Sequence, residues 1–375
     1  MTGAARYDVD VGVIGAGVVG LSAAAALARR GRSVVVLERN DEIAREVTSR
    51  NSEVVHAGLY YPEGSVKART CVAGRERLYE RCRSHGIPHR RIGKIVVAAS
   101  EAEVPALERI HALGRANGAG ALALIDASAV RALEPAVAAH AALLSPETGI
   151  VDAHAYALSF LAEAESHGAQ LVRRAELLGI AGEGGGYRLD ARCDGDRQSI
   201  RAAAVVNAAG LDADRVAALA GLDVDALGYR IHPCKGDYFA LAAGIPLELS
   251  RLVYPVPSGP GLGVHATIDL GGRIRFGPDA TFVEARDDHR VDPGKAAAFA
   301  AVVARYLPGF EASWLTPDFA GIRPRLAGPG EPFRDFVVSE EAAHGLPGFV
   351  NLLGIESPGL TAAAALAEEV AALLA

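Results

Sequence analysis

Residues 9 to 38 read VDVGVIGAGVVGLSAAAALARRGRSVVVLE. VDVGVI is an apolar run of β type, and GAGVVG spaces Gly15, Gly17 and Gly20 as G-x-G-x-x-G. The pattern predicts a helix from about Val18 to Arg30, then a second strand, Val34–Leu37, ending in Glu38. A glycine fingerprint between a strand and a helix, with a carboxylate after the next strand, is the signature of a dinucleotide site. Gly15 permits the tight turn, Gly17 lets backbone approach a pyrophosphate, and Gly20 allows the helix to lie close to the strand. The helix start at Val18 offers N–H groups and a partial positive charge to phosphate. Glu38, with Arg39 beside it, lies where a carboxylate accepts hydrogen bonds from a ribose diol; its charge opposes a 2′-phosphate and so a phosphorylated nicotinamide cofactor. Val11 to Ala28 carries no charge and imitates a membrane helix or signal sequence in hydropathy. Asp8 and Asp10 stand where a signal sequence needs positive charge, and the run holds four glycines, so the nucleotide-binding reading is preferred.

The chain has 375 residues, enough for two intertwined domains, and a net charge of −7 without a basic stripe, which excludes a nucleic-acid partner. Cys71, Cys82, Cys193 and Cys234 show no CxxC spacing. That spacing speaks against zinc, iron–sulfur clusters and a disulfide framework, so no metal site is expected and the chain fits a reducing cytoplasm.

Two further segments decide between NAD and FAD. AAVVNAAG (203–210) is an apolar strand ending in Ala208, Ala209 and Gly210, small enough to pass close to a cofactor. FVNLLGIESPGLT (349–361) is a buried-type strand, a turn over Gly354, Glu356 and Ser357, and the start of a helix at Gly359, Leu360 and Thr361. That turn again directs helix N–H groups at an anionic locus, as a reduced flavin would present. One fingerprint with cofactor-facing segments spread along the chain suits an extended FAD. No cysteine lies in the final turn, so the flavin is expected to be non-covalent.

Ordered along the chain stand the fingerprint, SRNSEVVHAGLYYP (49–62), VVNAAGLDADRVA (205–217), PCKGDYF (233–239), VYPVPSGPGLGVHAT (253–267), GIRPRL (321–326) and GIESPGLT (354–361). In this order they resemble the D-amino-acid-oxidase-like FAD-dependent oxidoreductases. Within them, NSxVxHxGxYY, YPVP and GVHxT resemble the L-2-hydroxyglutarate dehydrogenase/oxidase branch. The resemblance covers nearly the whole chain. It implies a loop from Ser49 through Asn51, Ser52, His56 and Gly58 running under the flavin ring. It also implies oxidation of an L-2-hydroxy acid, with oxygen or a quinone as electron acceptor. No integral membrane segment is expected, though docking to the surface of an inner membrane is compatible with the sequence.

The expected fold is α/β: a doubly wound, Rossmann-like FAD domain of the glutathione-reductase type, with a discontinuous α+β substrate domain on a mixed or antiparallel sheet. The boundaries read as 1–85, 150–225 and 319–375 for the first, 86–149 and 226–318 for the second. The four β-type runs between Tyr229 and Asp279, separated by turn residues, supply much of the second sheet.

Oxidation of a hydroxy acid requires a base, a cationic clamp for carboxylate and a fixed distance from C2 to the flavin. His56 and His265 are the base candidates, and which of them takes the proton stays open. Alternation places Gly263, His265 and Thr267 on one strand face. The clamp is drawn from Lys67, Lys235 and Arg323, with Arg325 read as a salt-bridge residue; Tyr238 accompanies Lys235, and Tyr60 or Tyr61 offers a hydroxyl. Lys235 stands where the family often carries arginine, which replaces a fork by a point charge. Glu356 departs from the branch's asparagine–proline–serine–proline turn and brings a carboxylate to the flavin edge. Two other readings remain: an oxidase of the glycine or D-amino-acid type, and a non-catalytic flavin-binding electron-transfer subunit.

Overall fold

The computed structural model describes residues 7–257 and 263–375 and divides into two units. Ser258 to Leu262, within the segment that carries YPVP and GVHxT, lie outside the described residues.

The first unit comprises residues 1–49, 153–232 and 324–375. Its sheet runs, in spatial order, Ala175–Glu183, Gly186–Cys193, Asp196–Asn207, Val9–Ile14, Val34–Leu37 and Gln170–Val172. Val9–Ile14 pairs in parallel with both Val34–Leu37 and the end of Asp196–Asn207. Leu346–Leu353 joins that same end in parallel. Such strands are buried on both faces and read as apolar runs, which is what VVVL and AAVV supply. The helix Val18–Arg29 buries ten of its twelve residues, half of them alanine, against the helices Ala153–Ser166 and Gly359–Leu373. Small side chains let three helices pack closely, and Ser22 spends its hydroxyl on the carbonyl of Ala363 at 3.0 Å. The segment that imitated a membrane span is thus a strand, a turn and a core helix, and among the described residues no helix is long and apolar enough to cross a membrane.

The second unit comprises residues 50–152 and 233–323. Its main sheet is mixed: Leu252–Pro255 pairs in parallel with Lys94–Ala98 and antiparallel with His265–Ile268, which pairs antiparallel with Ile274–Gly277. His232–Leu241 and Leu315–Arg325 extend it. The two faces bury different clusters. Ile95, Val97, Val253, Ala266, Phe239 and Phe276 pack on the helix Ala296–Val303 through Phe299. Val96, Ala98, Leu252, Tyr254 and Val256 pack on Val54, Ala57 and Leu59.

This packing explains why residues 50–85 cluster with the second unit, whereas continuity with the nucleotide strands had placed them in the FAD domain. Val54–Val55 pairs with Gly149–Val151, and Ala57 and Leu59 bury against the second sheet. The helix Val66–His85, capped by the Ser65 hydroxyl on Ala68 N–H and closed by Gly86 at φ 66°, supports the loop from behind.

Candidate active site

In the first unit the glycine turn is held by backbone. Gly15 has φ 102°, and a Cβ there would meet the Ala208 carbonyl oxygen at 2.6 Å. A Cβ on Gly20 would stand 2.0 Å from the Gly15 carbonyl oxygen. Ala208 therefore backs the turn: its N–H donates to the Ile14 carbonyl at 3.0 Å, and its methyl lies near Gly20. Ala209 and Gly210, with φ 57°, continue past it, braced by the fully buried Asn207, whose amide donates to Asn351 Oδ1 at 2.8 Å.

Glu38 is 7% exposed and accepts the Ala16 N–H at 2.8 Å through one oxygen and the Asn40 N–H at 2.8 Å through the other. It ties the fingerprint turn to the end of the second strand. Thr48, which the sequence did not single out, accepts the Val18 N–H at 3.1 Å. The helix itself starts at Gly17 with no side-chain cap, and a Cβ on Gly17 would meet only Thr48 Oγ1, at 3.2 Å. Thr48 takes the Val18 N–H alone, and a glycine N-cap leaves room and positive potential at the helix start for a pyrophosphate, so these residues fit FAD. The final turn has the same character: Pro358 precedes the helix Gly359–Leu373 without a side-chain cap. Gly354 has φ 69°, and Thr361 is fully buried.

Two residues expected at the cofactor have structural partners. Arg39 bridges Asp212 and Glu46, and Ser49 donates its hydroxyl to the Arg45 carbonyl at 2.8 Å. Glu356 faces Arg325, Nε to Oε2 3.7 Å, so a cation opposes the carboxylate that the sequence brought to this turn.

Glu38→Ala is expected to leave the fold intact and weaken FAD about 5- to 150-fold, because two partly buried donors lose a charged acceptor worth ~1–3 kcal/mol. Flavin retained after gel filtration, compared with the melting temperature, checks it.

In the second unit strand parity sorts the remaining candidates. Lys94, Tyr254, His265 and Thr267 share the face that also carries Val96 and Leu252. Tyr254 and His265 sit on neighbouring strands with rings stacked at 3.5 Å and 7°. Lys94 Nζ lies 4.6 Å from the Tyr254 ring centroid and 4.9 Å from that of Tyr60. Tyr238 lies near Ser52 and stacks on Phe319 at 4.4 Å. Arg323 donates to the Asp279 carbonyl at 2.9 Å and meets Cys234 Sγ at 3.7 Å, on the Cys234, Gly236 and Tyr238 side of the strand. A Cβ at Gly236 would strike Arg323 Nη2 at 2.7 Å, so glycine there makes room for the guanidinium.

Lys235 is not brought to this group. It and Asp237 alternate to the other face, where Lys235 donates to the Arg290 carbonyl with Asp288 3.7 Å away, and Asp237 meets Lys295 at 2.7 Å. Gly58 differs as well. Its φ of 103° demands glycine, but a Cβ would meet Val72 at 2.9 Å, so its smallness serves packing on the helix Val66–His85. Asn51 caps its own turn, accepting the Glu53 N–H at 2.6 Å.

Electrostatics separate the titratable groups. Burial and the nearby Lys94 charge push His56 down to about 3, so its imidazole is neutral at any physiological pH. Burial pushes the Lys94 ammonium down to about 7 and raises the Tyr60 and Tyr254 phenols. A buried ammonium costs several kcal/mol, and two aromatic faces return about 2 kcal/mol each at best. Lys94 was missed by sequence reasoning. The available signal was one charge inside the apolar run Ile92 to Ala98.

The model of the DAO family, described as FAD dependent oxidoreductase, matches residues 10–373, and the chain belongs to that family. It is an FAD-dependent oxidoreductase. Among curated proteins it is 39% identical over 404 residues to a mitochondrial L-2-hydroxyglutarate dehydrogenase of Arabidopsis thaliana, covering 98% of this chain and 83% of that one. The Homo sapiens protein of the same description is 35% identical over 299 residues, covering 76% of this chain and 64% of its own. Among solved structures, FAD-bound L-alpha-glycerophosphate oxidase from Mycoplasma pneumoniae superposes with a TM-score of 0.87 at 26% identity, covering 98% of this chain and 94% of that chain. Glycine oxidase from Geobacillus kaustophilus shares the fold, with a TM-score of 0.80 at 24% identity over 98% and 95% of the two chains.

Proposed function

We propose that this chain oxidises an L-2-hydroxy acid, L-2-hydroxyglutarate first, to the 2-oxo acid. The observation that carries the reading is identity of 39% to a plant L-2-hydroxyglutarate dehydrogenase across 98% of the chain. Bound FAD supplies the acceptor for the hydride leaving C2. The chain's own residues do the rest.

His265 takes the hydroxyl proton, because His56 at about 3 is too weak a base to hold one. Arg323 clamps a carboxylate: a guanidinium has five N–H donors, and the Asp279 carbonyl and Cys234 Sγ engage only part of that fork. Tyr238 and Tyr60 border the acid, while Lys235 anchors the Asp288–Arg290 turn and takes no part in the clamp. His56 lines the ring as a neutral group. The final electron acceptor is oxygen or a quinone, and the place of action is the cytoplasm or the face of an inner membrane.

Mixing the oxidised protein anaerobically with each acid and following the yellow flavin absorbance tests the reading. L-2-Hydroxyglutarate should bleach it and its D-enantiomer should not. Bleaching by glycine or D-amino acids alone would reassign the chain to amine oxidation, and bleaching by no small donor would make it an electron-transfer subunit.

A further inference from the structure

We propose that Lys94 is a positioning residue for this reaction: its ammonium grips the Tyr254 and Tyr60 rings and thereby fixes the ring on which His265 rests. The inference rests on the reading above, in which His265 is the base.

The geometry is continuous. Leu252 pairs with Lys94 across one strand boundary, Val253 with Ala266 across the next, and so Tyr254 lies opposite His265. The lysine head lies within 5 Å of two ring centroids, and one of those rings lies flat on the imidazole at 3.5 Å. Lys94 is 1% exposed, and among the described residues no carboxylate stands beside it to offset the lost hydration. An aliphatic side chain would fill the same space more cheaply, so the charge is kept for what it does to the rings. The far side of the His265 strand is pinned independently, by the Tyr306 hydroxyl on the Val264 carbonyl at 2.9 Å. Movement of His265 is therefore limited on the helix side and governed on the site side by Tyr254.

The clamp holds while Lys94 is charged. The groups around it are His56, down at about 3, Tyr60 and Tyr254, raised by burial, and the Cys71 thiol of the supporting helix, raised to about 12, with Arg75 near that thiol. None of these changes charge near neutrality, and His265, which faces Lys94 only through the Tyr254 ring, is the same in all three proteins compared below. Lys94 does, losing its proton as pH rises through about 7. The rate of flavin reduction should therefore fall with rising pH over that range as the grip on the rings weakens.

Three proteins test this as full-length, FAD-loaded enzymes: wild type, Lys94→Met and Lys94→Arg. Lys94→Met should keep its flavin but reduce it about 10- to 100-fold more slowly, with no pH step near 7. Lys94→Arg retains a cation that stacks on aromatic rings and does not deprotonate, so it should recover most of the rate and stay flat through neutral pH. A wild-type rate in Lys94→Met, or the same pH step persisting in both variants, overturns the proposal. NMR of the His265 ring protons without substrate gives a second readout. They should shift with pH near 7 in wild type and lose that component in both variants. Because this arm needs no substrate, failure of L-2-hydroxyglutarate to bleach the flavin would sink the functional reading and leave the clamp separately tested.

Discussion

Gly20→Ala should yield a protein that folds poorly around its nucleotide turn and purifies colourless. Intrinsic propensity points the other way, since alanine inside a helix is favoured over glycine by about 1 kcal/mol. The decision belongs to sterics. The new Cβ would stand 2.0 Å from the Gly15 carbonyl oxygen, and Gly15 has little room to retreat, since even a Cβ built on it would meet the Ala208 carbonyl oxygen at 2.6 Å. Overpacking costs ~1–3 kcal/mol where side chains give way. Here backbone must move, so about 3 kcal/mol is the smaller estimate, and falling on cofactor binding it removes FAD about 100-fold. The comparison is Gly17→Ala, whose Cβ would meet only Thr48 Oγ1 at 3.2 Å. That variant should keep a near-native melting temperature while losing FAD affinity, because the methyl occupies the phosphate side of the turn. Flavin content and thermal melts on the pair check both halves; a yellow Gly20→Ala protein with wild-type stability would refute the packing account.

The nucleotide half was legible because its determinants are local. Glycine spacing, the apolar strands and Glu38 all lie within 30 residues, and Arg325 was read correctly as an ion-pair residue. What the sequence hid was decided by distant partners. Residues 50–85 follow the nucleotide strands in order, yet Ala57 and Leu59 find their apolar surface on the second sheet. Lys235 and Tyr238 were grouped as neighbours in one motif, but residues three apart on a strand face opposite sides. The same parity rule put His265 and Thr267 on one face, and the strand register has them so. Lys94 escaped because a lysine at the edge of an apolar strand reads as a solvated strand end until Tyr254 and Tyr60 are seen above it.

His265→Ala should retain bound FAD and lose about 10²- to 10⁴-fold in the rate of flavin reduction by L-2-hydroxyglutarate, the range typical of a removed general base. The residues proposed to hold the cofactor's phosphates lie on the glycine turn and the start of the helix Val18–Arg29, elements that do not include this strand. His56→Ala is the informative partner. A neutral imidazole held at about 3 accepts no lasting proton, so its loss should cost less than the loss of His265, and its pH profile should keep the wild-type shape. Stability should respond differently. His56 has its proton affinity lowered on folding from an ordinary value near ~6.5, so the unfolded chain binds the extra proton and wild type loses stability as pH falls from about 6.5 toward 3. His56→Ala removes that term, flattening the acid limb of the melting-temperature curve, while His265→Ala leaves it in place. Stopped-flow bleaching and acid melts on the two variants separate the roles, and a larger rate loss in His56→Ala than in His265→Ala would transfer the base to His56.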